Sequence, residues 1–340
     1  MKKFIQKTLL LLLLFFVIIQ IPRWVLPPFW GNEIYDGKLD HLERTNRKYN
    51  TFFIGTSRVN NGIIPAVFDA ECGGKIKTFN LAAPGSSGLE NIELTKYLIQ
   101  HKTLKVKNIF IEVPLLQLHG KENRASLRGR YYYDFEMYVF SMRNIFSHNT
   151  SLKSKFNKWR VHTELLIKNV FSLGIFEDAL QRIKHGVKRK GKKYKSKRGY
   201  SPLYVNTQNK AELERRERFL KDKTILKTRR QGANKVFRRT NYPKDEFAIE
   251  VLENLIDMAA EKDINLYIVL YPKAAEPVYK AAMHMSSHKI NRRIINLADP
   301  KKHSNFYKEK YSFDRAHLND KGSKLLTKAC AKAYKKIRKE

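Results

Sequence analysis

Four continuously apolar stretches and a shorter fifth alternate along the chain with segments in which apolar residues recur at helical steps. The helical periodicity is clearest over residues 87–101, 244–262 and 318–337. Apolar strands that alternate with helices are typical of a parallel sheet covered on both faces. We therefore predict an α/β fold over residues 51–340. Its predicted strands are residues 51–55, 76–80, 108–113, 265–271 and 294–297.

The middle of the chain, from about residue 120 to 240, shows no comparable strand pattern. An aromatic segment at 131–138, a periodic segment at 152–183 and a charged segment at 208–232 each predict a helix. A basic run at 188–198 predicts a loop. We therefore expect a basic helical insertion at about 120–240 that interrupts the α/β domain.

A long apolar segment opens the chain. Residues 9–19 contain no polar side chain, and Lys2, Lys3 and Lys7 precede them. The run is shorter than the roughly 20 residues of a typical membrane span, but no small residues suited to signal peptidase follow it. Because basic flanks stay on the cytoplasmic side, we predict an uncleaved signal anchor over residues 1–30, with the rest of the chain outside the cytoplasm.

The residues after the apolar run support an anchor that ends at the far membrane interface. Arg23 can extend its charge to that interface, and Trp24 and Trp30 are typical of it. A polar linker is predicted over residues 31–50. A cleaved signal peptide and a buried helix of a soluble protein are the alternatives that the sequence leaves open.

The charge of the chain is unbalanced, with 67 Lys and Arg against 32 Asp and Glu and a formal net charge of +35. Such an excess indicates an anionic partner. The export signal argues against nucleic acid, and no nucleic-acid-binding motif is present. Residues 182–239 hold 22 of the basic and 4 of the acidic residues, which predicts docking of this basic insertion on anionic lipid or an acidic glycan. A solvated face that only aids solubility is the alternative.

Cysteine usage and overall composition narrow the class of protein further. Cys72 and Cys330 allow at most one internal disulfide. No Cys or His spacing indicates a metal site, and no cofactor is predicted. The hydrophobic share of 42% is ordinary for a folded protein, which excludes disorder of the whole chain.

The first candidate for chemistry follows the first predicted strand, in the sequence Ile54-Gly55-Thr56-Ser57-Arg58. Open α/β sheets bind their ligands at the carboxyl ends of the strands, where a serine hydroxyl can act as a nucleophile. Gly55 would permit the tight turn that exposes Ser57. A Gly-x-Ser after a strand is also a common turn, so this motif alone does not decide between the two.

A second candidate follows the second predicted strand, where small residues at 82–88 allow the backbone to approach a ligand. The Gly85 N–H could face a developing oxyanion. The same stretch fits a strand-to-helix turn in which Ser86 or Ser87 caps the helix and Glu90 completes a capping box. Both interpretations can hold together.

The third candidate lies before the last predicted helix, where Asp314 and His317 are three residues apart. The carboxylate can fix the imidazole tautomer and stabilise its cation, which leaves the other ring nitrogen to take a proton from a serine. A surface turn with Asn319 or Asp320 as the helix cap is the alternative.

Together, the early Gly-x-Ser, the Asn-x4-Gly after the second strand and the Asp-x-x-His before the final helix resemble the SGNH (GDSL-type) hydrolase family. The resemblance covers residues 51–113 and 244–335 and implies a three-layer α/β/α, flavodoxin-like parallel sheet. The Gly-Thr-Ser-Arg wording and the N-terminal anchor are similar to the membrane-anchored branch, with its DltD-like and AlgJ/AlgX-like proteins of cell-envelope polymer acylation.

The resemblance assigns a role to each candidate. It implies that Ser57 is the nucleophile and that Asp314 and His317 complete a catalytic triad. It also implies that the amides of Ser57 and Gly85 form the oxyanion hole.

Two positions depart from the family's pattern. The usual Gly-Asp-Ser is Gly-Thr-Ser here, and the Gly-x-Asn-Asp motif is absent after the third strand. Gln117 is a candidate substitute for the missing oxyanion donor. Arg58, beside the nucleophile, is a candidate for binding an anionic group of the substrate.

The resemblance implies extracytoplasmic, serine-dependent acyl-ester chemistry at the cell membrane, either O-acyl (acetyl) transfer to a cell-surface glycan or hydrolysis from one. The acylated glycan or an acyl donor would be the substrate, and a multi-pass membrane acyltransferase would be a partner. The alternative is a non-catalytic, membrane-anchored binding or assembly protein of envelope polysaccharide modification, which the missing third motif favours.

Overall fold

The computed structural model describes residues 1–45, 48–112, 126–147, 149–185 and 197–338. These residues form two compact units. The helical unit consists of residues 1–37, 126–147 and 149–185, and the sheet unit consists of residues 38–45, 48–112 and 197–338. The described part of the predicted insertion is therefore divided between the two units, and every described candidate residue for catalysis lies in the sheet unit.

The sheet unit is built on five parallel strands, which confirms the predicted α/β class. The strands are β1 (Thr51–Ile54), β2 (Thr78–Asn80), β3 (Asn108–Glu112), β4 (Asn265–Leu270) and β5 (Ile294–Asn296). Their order in the sheet is β2-β1-β3-β4-β5, and their bounds lie within two residues of the predicted ones. Strand β1 lies between β2 and β3, so the connections on either side of it run in opposite directions along the sheet. Such a switch point opens a ligand crevice at the carboxyl ends of the strands.

Helices connect the strands and make up the helical unit, in agreement with the absence of predicted strands in the middle of the chain. In chain order, the described helices are α1 (Lys2–Val25), α2 (Glu33–Thr45), α3 (Ser57–Asn60), α4 (Pro65–Glu71), α5 (Gly88–Gln100), α6 (Leu127–Arg130), α7 (Phe135–Ser147), α8 (Leu152–Val170), α9 (Phe176–His185), α10 (Lys210–Lys221), α11 (Thr224–Arg238), α12 (Glu246–Ala260), α13 (Glu276–His284), α14 (His288–Asn291) and α15 (Asp320–Ile337).

Three local predictions were wrong in extent. The helix predicted over 152–183 is two helices, because the chain turns at Ser172 with a left-handed φ of 51°. The helix predicted over 208–232 breaks at Asp222, whose carboxylate accepts a backbone N–H from the first turn of α11 at 2.9 Å. The aromatic segment predicted as a helix over 131–138 is helical only from Phe135, where α7 begins. Helix α2 lies within the residues of the predicted linker, 31–50.

A ladder of aromatic rings crosses one face of the sheet. Phe53, Phe110 and Tyr267, on β1, β3 and β4, stack at centroid distances of 4.4 and 4.9 Å. Phe68 of α4 and Tyr334 of α15 meet Phe110 edge-on at 5.4 and 5.3 Å. All five rings are buried, and each contributes about 1.5–3 kcal/mol by leaving water. The ladder fixes the strands whose ends carry the candidate site.

Helix caps hold the loops at the carboxyl edge of the sheet. Ser87 caps α5 and forms the predicted capping box with Glu90. Asn319 caps α15 by accepting the Gly322 N–H at 2.9 Å. The predicted caps of the second and third motifs are thus confirmed, but the third motif is not a surface turn, because Asp314 is only 2% exposed.

Helix α1 is, among the described residues, the one helix long and apolar enough to cross a membrane, with a mean hydropathy of 2.3. Most of its apolar side chains are exposed. Near its end, Gln20 donates a hydrogen bond to the Val170 carbonyl at 2.8 Å. A signal anchor and a signal sequence both fit this helix.

Candidate active site

The turn after β1 presents a serine at the switch point of the sheet. Thr56 caps α3 by accepting the Arg58 N–H at 3.3 Å, so Ser57 occupies the first position of this short helix. Its side chain is partly exposed. The hydroxyl is therefore accessible at the edge where open α/β sheets bind ligands.

Ser57, His317 and Asp314 form a chain of hydrogen bonds. His317 Nε2 lies 2.7 Å from Ser57 Oγ, and His317 Nδ1 lies 2.9 Å from both carboxylate oxygens of Asp314. A carboxylate only accepts, so Nδ1 carries the ring proton and Nε2 accepts from the Ser57 hydroxyl. In this arrangement the imidazole can remove the serine proton.

Asp314 is held as a buried carboxylate, only 2% exposed. Its Oδ1 also accepts the N–H groups of Ala316 and His317 at 2.7 and 2.8 Å. Arg215 Nε forms an ion pair with Oδ2 at 2.9 Å, although not at a hydrogen-bonding angle. Burial alone would raise the pKa of Asp314, but hydrogen bonds from the His317 ring and the two backbone amides hold it well below its usual range. The carboxylate therefore stays charged and can stabilise an imidazolium.

Helix α10 fixes the loop that carries the acid and the base. Arg216 donates to the Ser312 and Phe313 carbonyls at 3.2 and 2.9 Å. The buried Phe313 ring lies 5.2 and 5.8 Å from the guanidinium groups of Arg215 and Arg216, within the range of a cation–π contact. Helix α10 lies within residues 182–239, the basic segment of the chain. Two arginines of this segment, Arg215 and Arg216, therefore help to form the candidate site.

Lys273, just beyond β4, supports the same loop. Its Nζ donates to the carbonyls of Asp314 and His317, the latter at 2.7 Å. The residue is only 1% exposed, and burial lowers the pKa of Lys273 to about 7, which Asp314 opposes and Arg229 reinforces. Its φ of 65° is strained for a residue with a Cβ. One buried amine thus ties together the backbone of the acid and the base.

Glu112 ends β3 and holds the turn in front of the serine. It is 3% exposed, and its two oxygens accept the Thr56 N–H and the Arg58 Nε–H, each at 2.7 Å. A Cβ at Gly55 would lie 2.7 Å from the Glu112 Cβ. Gly55 has no left-handed φ, so the predicted tight-turn role is corrected: glycine stands here because Val59 Cγ2, which would lie still closer to such a Cβ, and the Glu112 side chain leave room for nothing larger.

The loop after β2 is bonded to the nucleophile turn. Ser86 Oγ donates to the Gly55 carbonyl at 2.8 Å, and the buried Asn80 side chain donates to two backbone carbonyls at 2.8 and 3.0 Å. Gly85 has a φ of 68°, in the left-handed region that favours glycine. The Gly85 peptide therefore belongs to a loop fastened two residues before Ser57.

A second buried lysine supports the nucleophile side. Lys38 is 0% exposed, and its Nζ donates to the Ala82 carbonyl at 2.5 Å and to Asn60 Oδ1 at 2.9 Å. Burial lowers the pKa of Lys38 well below its usual range. Since Ala82 shares a loop with Gly85 and Asn60 shares α3 with Ser57, Lys38 joins the two segments that carry the predicted oxyanion donors.

The described candidates of the triad and oxyanion hole gather at this edge of the sheet: Ser57, Gly85, Asp314 and His317. Arg58 lies beside the nucleophile, but its Nε is bonded to Glu112, so its role in binding substrate stays a prediction. Gln117 lies outside the described residues.

Sequence reasoning missed the residues that hold the triad in place, namely Lys38, Glu112, Arg215, Arg216 and Lys273. Glu112 and Lys273 carried a signal, because each is a charged residue at the carboxyl end of a buried strand. The two arginines carried none, since they stand among many basic residues of similar spacing.

The site combines a hydroxyl nucleophile, a histidine base and an orienting carboxylate, which together can carry out nucleophilic acyl chemistry. Within the described ranges, no group of three or more His, Cys, Asp and Glu residues could hold a metal ion. No protein-family model matches this chain, and no curated protein sequence matches it.

Proposed function

We propose that this protein is a serine-dependent acyl-ester enzyme that transfers an O-acyl group to a cell-surface glycan or hydrolyses one from it. The observation that carries the proposal is the chain of contacts from Ser57 to His317 to Asp314, at 2.7 and 2.9 Å. Ser57 and His317, 260 positions apart in the chain, are in contact here, and the His317 ring has the tautomer that base catalysis needs.

In the first half-reaction, His317 Nε2 takes the proton of Ser57 as Oγ bonds to the ester carbonyl carbon. The carbonyl electron pair moves onto oxygen, and the N–H groups of Ser57 and Gly85 stabilise this oxyanion. Collapse of the intermediate breaks the bond to the alcohol, which leaves with the proton from His317. An acyl-Ser57 remains, and Asp314 stabilises the transient imidazolium.

In the second half-reaction, another hydroxyl gives its proton to His317 and attacks the acyl carbon. A sugar hydroxyl makes the enzyme an O-acyltransferase, whereas water makes it an esterase. Either attack expels Ser57, which regains its proton from His317.

The strand order and the positions of the motifs support an SGNH-type, three-layer fold similar to that of the membrane-anchored DltD-like and AlgJ/AlgX-like branch. Glu112 stands at the end of β3, where the family's third motif would begin, and its carboxylate accepts hydrogen bonds from the nucleophile turn. The proposed oxyanion hole uses the backbone N–H groups of Ser57 and Gly85, with Gln117 as the candidate third donor, and Glu112 contributes by shaping the turn.

Helix α1 supports the location that we propose: α1 anchors the protein in the cell membrane, and the residues that follow it lie outside the cytoplasm. Lys2, Lys3 and Lys7 stay on the cytoplasmic side. A multi-pass acyltransferase would supply the acyl group across the membrane, and the basic segment would dock on anionic lipid or an acidic glycan.

The test is Ser57→Ala in the full chain, expressed in its native cells, with O-acyl content of surface glycans as the readout. Loss of acyl groups identifies a transferase, and a gain identifies an esterase. Ser201→Ala is the matched control, because Ser201 is exposed and contributes only its backbone to described hydrogen bonds. Unchanged acyl content in Ser57→Ala would refute the proposal.

A further inference from the structure

A cavity of about 480 Å³ adjoins the base of the triad, within the sheet unit. This volume is typical of sites for small ligands or single sugar rings. His317 and Arg315 line one side, Arg218 and Phe219 of α10 line another, and Ile225 of α11 adds an apolar surface. The cavity therefore offers cationic groups and an apolar wall next to the reacting histidine.

The two carboxylates that line this cavity are already engaged. Asp314 is bonded to the His317 ring and to two backbone amides, and it pairs with Arg215. Asp222 accepts the Thr224 N–H at 2.9 Å at the start of α11. Neither carboxylate pairs with the other arginines of the cavity.

The remaining arginines lack an anionic partner. In the part of the chain that the structure describes, Arg218 and Arg315 form no ion pair with a carboxylate. Arg229 of α11 does not line the cavity; its Nε is buried and has no hydrogen-bond acceptor among the described residues. Burial lowers the pKa of Arg229, Tyr279 opposes this, and the charges of Arg315 and Arg58 add to it. Arg218 and Arg315 are exposed, so water screens their charges, and a bound anion would supply the partner that no described carboxylate gives them.

The position of the cavity indicates which part of the substrate enters it. In the proposed mechanism His317 protonates the leaving alcohol and later takes a proton from the acceptor hydroxyl, so both alcohols must lie against His317. The cavity is lined by that histidine. It therefore faces the alcohol part of the ester, whereas the acyl part lies toward the oxyanion donors.

We propose that this cavity binds an anionic group, a carboxylate or a phosphate, on the alcohol part of the ester, and that Arg218 and Arg315 hold it. The inference rests on the proposed function, because it assigns the cavity to the alcohol that His317 protonates. Guanidinium groups suit both anions, since they donate paired N–H groups to two oxygens at once. The substrate class is an acyl ester of an acidic sugar or a similar anionic alcohol.

The test compares three esters with the purified full chain: 4-nitrophenyl acetate, which is neutral; 4-acetoxy-3-nitrobenzoate, which is charged on the alcohol part; and 4-nitrophenyl hemisuccinate, which is charged on the acyl part. In Arg218→Gln/Arg315→Gln, kcat/KM for the ester with a charged alcohol falls about tenfold or more relative to the neutral ester. The ratio for the ester with a charged acyl group changes less than twofold.

The matched control is Lys227→Gln/Arg230→Gln, which removes the same charge from exposed positions of α11 outside the cavity. In this control, kcat/KM for each of the two charged esters, relative to the neutral ester, stays within twofold of the wild-type ratio. Intact hydrolysis of the neutral ester shows that the variants fold. An unchanged ratio for the charged-alcohol ester in Arg218→Gln/Arg315→Gln, with the neutral ester still hydrolysed, overturns the inference.

A calorimetric titration separates this inference from the proposed function. Ser57→Ala protein is titrated with galacturonate, galactose 6-phosphate and galactose, and we expect binding of the anionic sugars alone, weakened about tenfold by the arginine replacements. Tighter binding of one anion identifies a carboxylate or a phosphate as the natural group. If no ester is hydrolysed but the anionic sugars still bind, the proposed function is refuted and the anion site is supported. Equal affinity for all three sugars would refute the anion site.

Discussion

The two sides of the candidate site are built in different ways. On the sheet edge, Ser57, His317 and Asp314 are joined at 2.7–2.9 Å. On α10, Arg216 is bonded to the loop before Asp314, whereas Arg218 reaches the cavity and pairs with no described carboxylate. The proposed reacting groups are thus held together by hydrogen bonds within the chain, as preorganised catalysis requires, whereas the proposed recognition group Arg218 has no described carboxylate partner.

The largest effect is expected on the sheet edge itself. Among the described residues, His317 is the only base in contact with Ser57, so we expect His317→Ala to lower kcat for ester hydrolysis at least about 10³-fold. Purified full-length protein and 4-nitrophenyl acetate provide the measurement. His288→Ala, at an exposed histidine that begins α14, is the control and retains activity; equal rates in both variants would break the distinction between the two sides.

The second effect concerns the orienting carboxylate. Asp314→Asn keeps the shape but removes the charge that fixes the His317 tautomer, so kcat should fall about 10²- to 10⁴-fold. Asp257→Asn, which removes an exposed partner of Lys289, serves as the control. A loss below threefold in Asp314→Asn would mean that His317 needs no orienting acid.

The third prediction separates two arginines of one helix. Arg216→Gln loosens the loop before Asp314, so kcat falls about tenfold for neutral and anionic esters alike. Arg218→Gln leaves kcat for the neutral ester unchanged and raises KM for the ester with an anionic alcohol. Steady-state kinetics with both esters measures the split, and identical profiles for the two variants would remove the proposed division of roles within α10.

The smallest effect is on stability and depends on pH. Burial lowers the pKa of Lys273 to about 7, whereas an unfolded lysine titrates near 10.4. Between these values the unfolded chain binds more protons than the folded one, so the contribution of Lys273 to the free energy of unfolding rises with pH, by at most about 1.4 kcal/mol per pH unit, and is flat below pH 7.

Lys273→Met removes this slope. We expect chemical unfolding of the wild type and of Lys273→Met, measured from pH 6 to 9, to show a difference in the free energy of unfolding. This difference is constant up to about pH 7 and then grows in favour of the wild type. A constant difference across the whole range would show that Lys273 keeps its proton in the folded state.

Much of the fold was predictable because its signals are local. Continuous apolar runs defined the five strands within two residues, and the capping box at Ser87 and Glu90 was visible as a pattern. The break at Asp222 was not predictable from periodicity, because apolar spacing continues across it, and the Asp222 carboxylate accepts the Thr224 N–H and hydroxyl at the start of α11. The division into two units depends on contacts between segments that are distant in sequence.

The sequence singled out the residues that the structure joins by hydrogen bonds, but not the residues that support them. Asp314 and His317 are three residues apart, a spacing that allows a bond within one turn, and the Gly-x-Ser motif of the resemblance singled out Ser57. Glu112 and Lys273 act through contacts between different strand ends, and no spacing along the chain encodes those. The charge of the basic segment indicated an anionic partner, but only the structure shows that some of this charge lies beside the triad.

The most direct test of the central claim is covalent labelling of the full-length protein with a fluorophosphonate. An activated serine oxygen attacks phosphorus, expels fluoride and passes its proton to the adjacent base, whatever the natural substrate is. We predict one adduct, mapped by mass spectrometry to the peptide that carries Ser57, absent in Ser57→Ala and strongly slowed in His317→Ala. Equal labelling of wild type and Ser57→Ala, or no adduct on Ser57, would contradict an activated serine at this site.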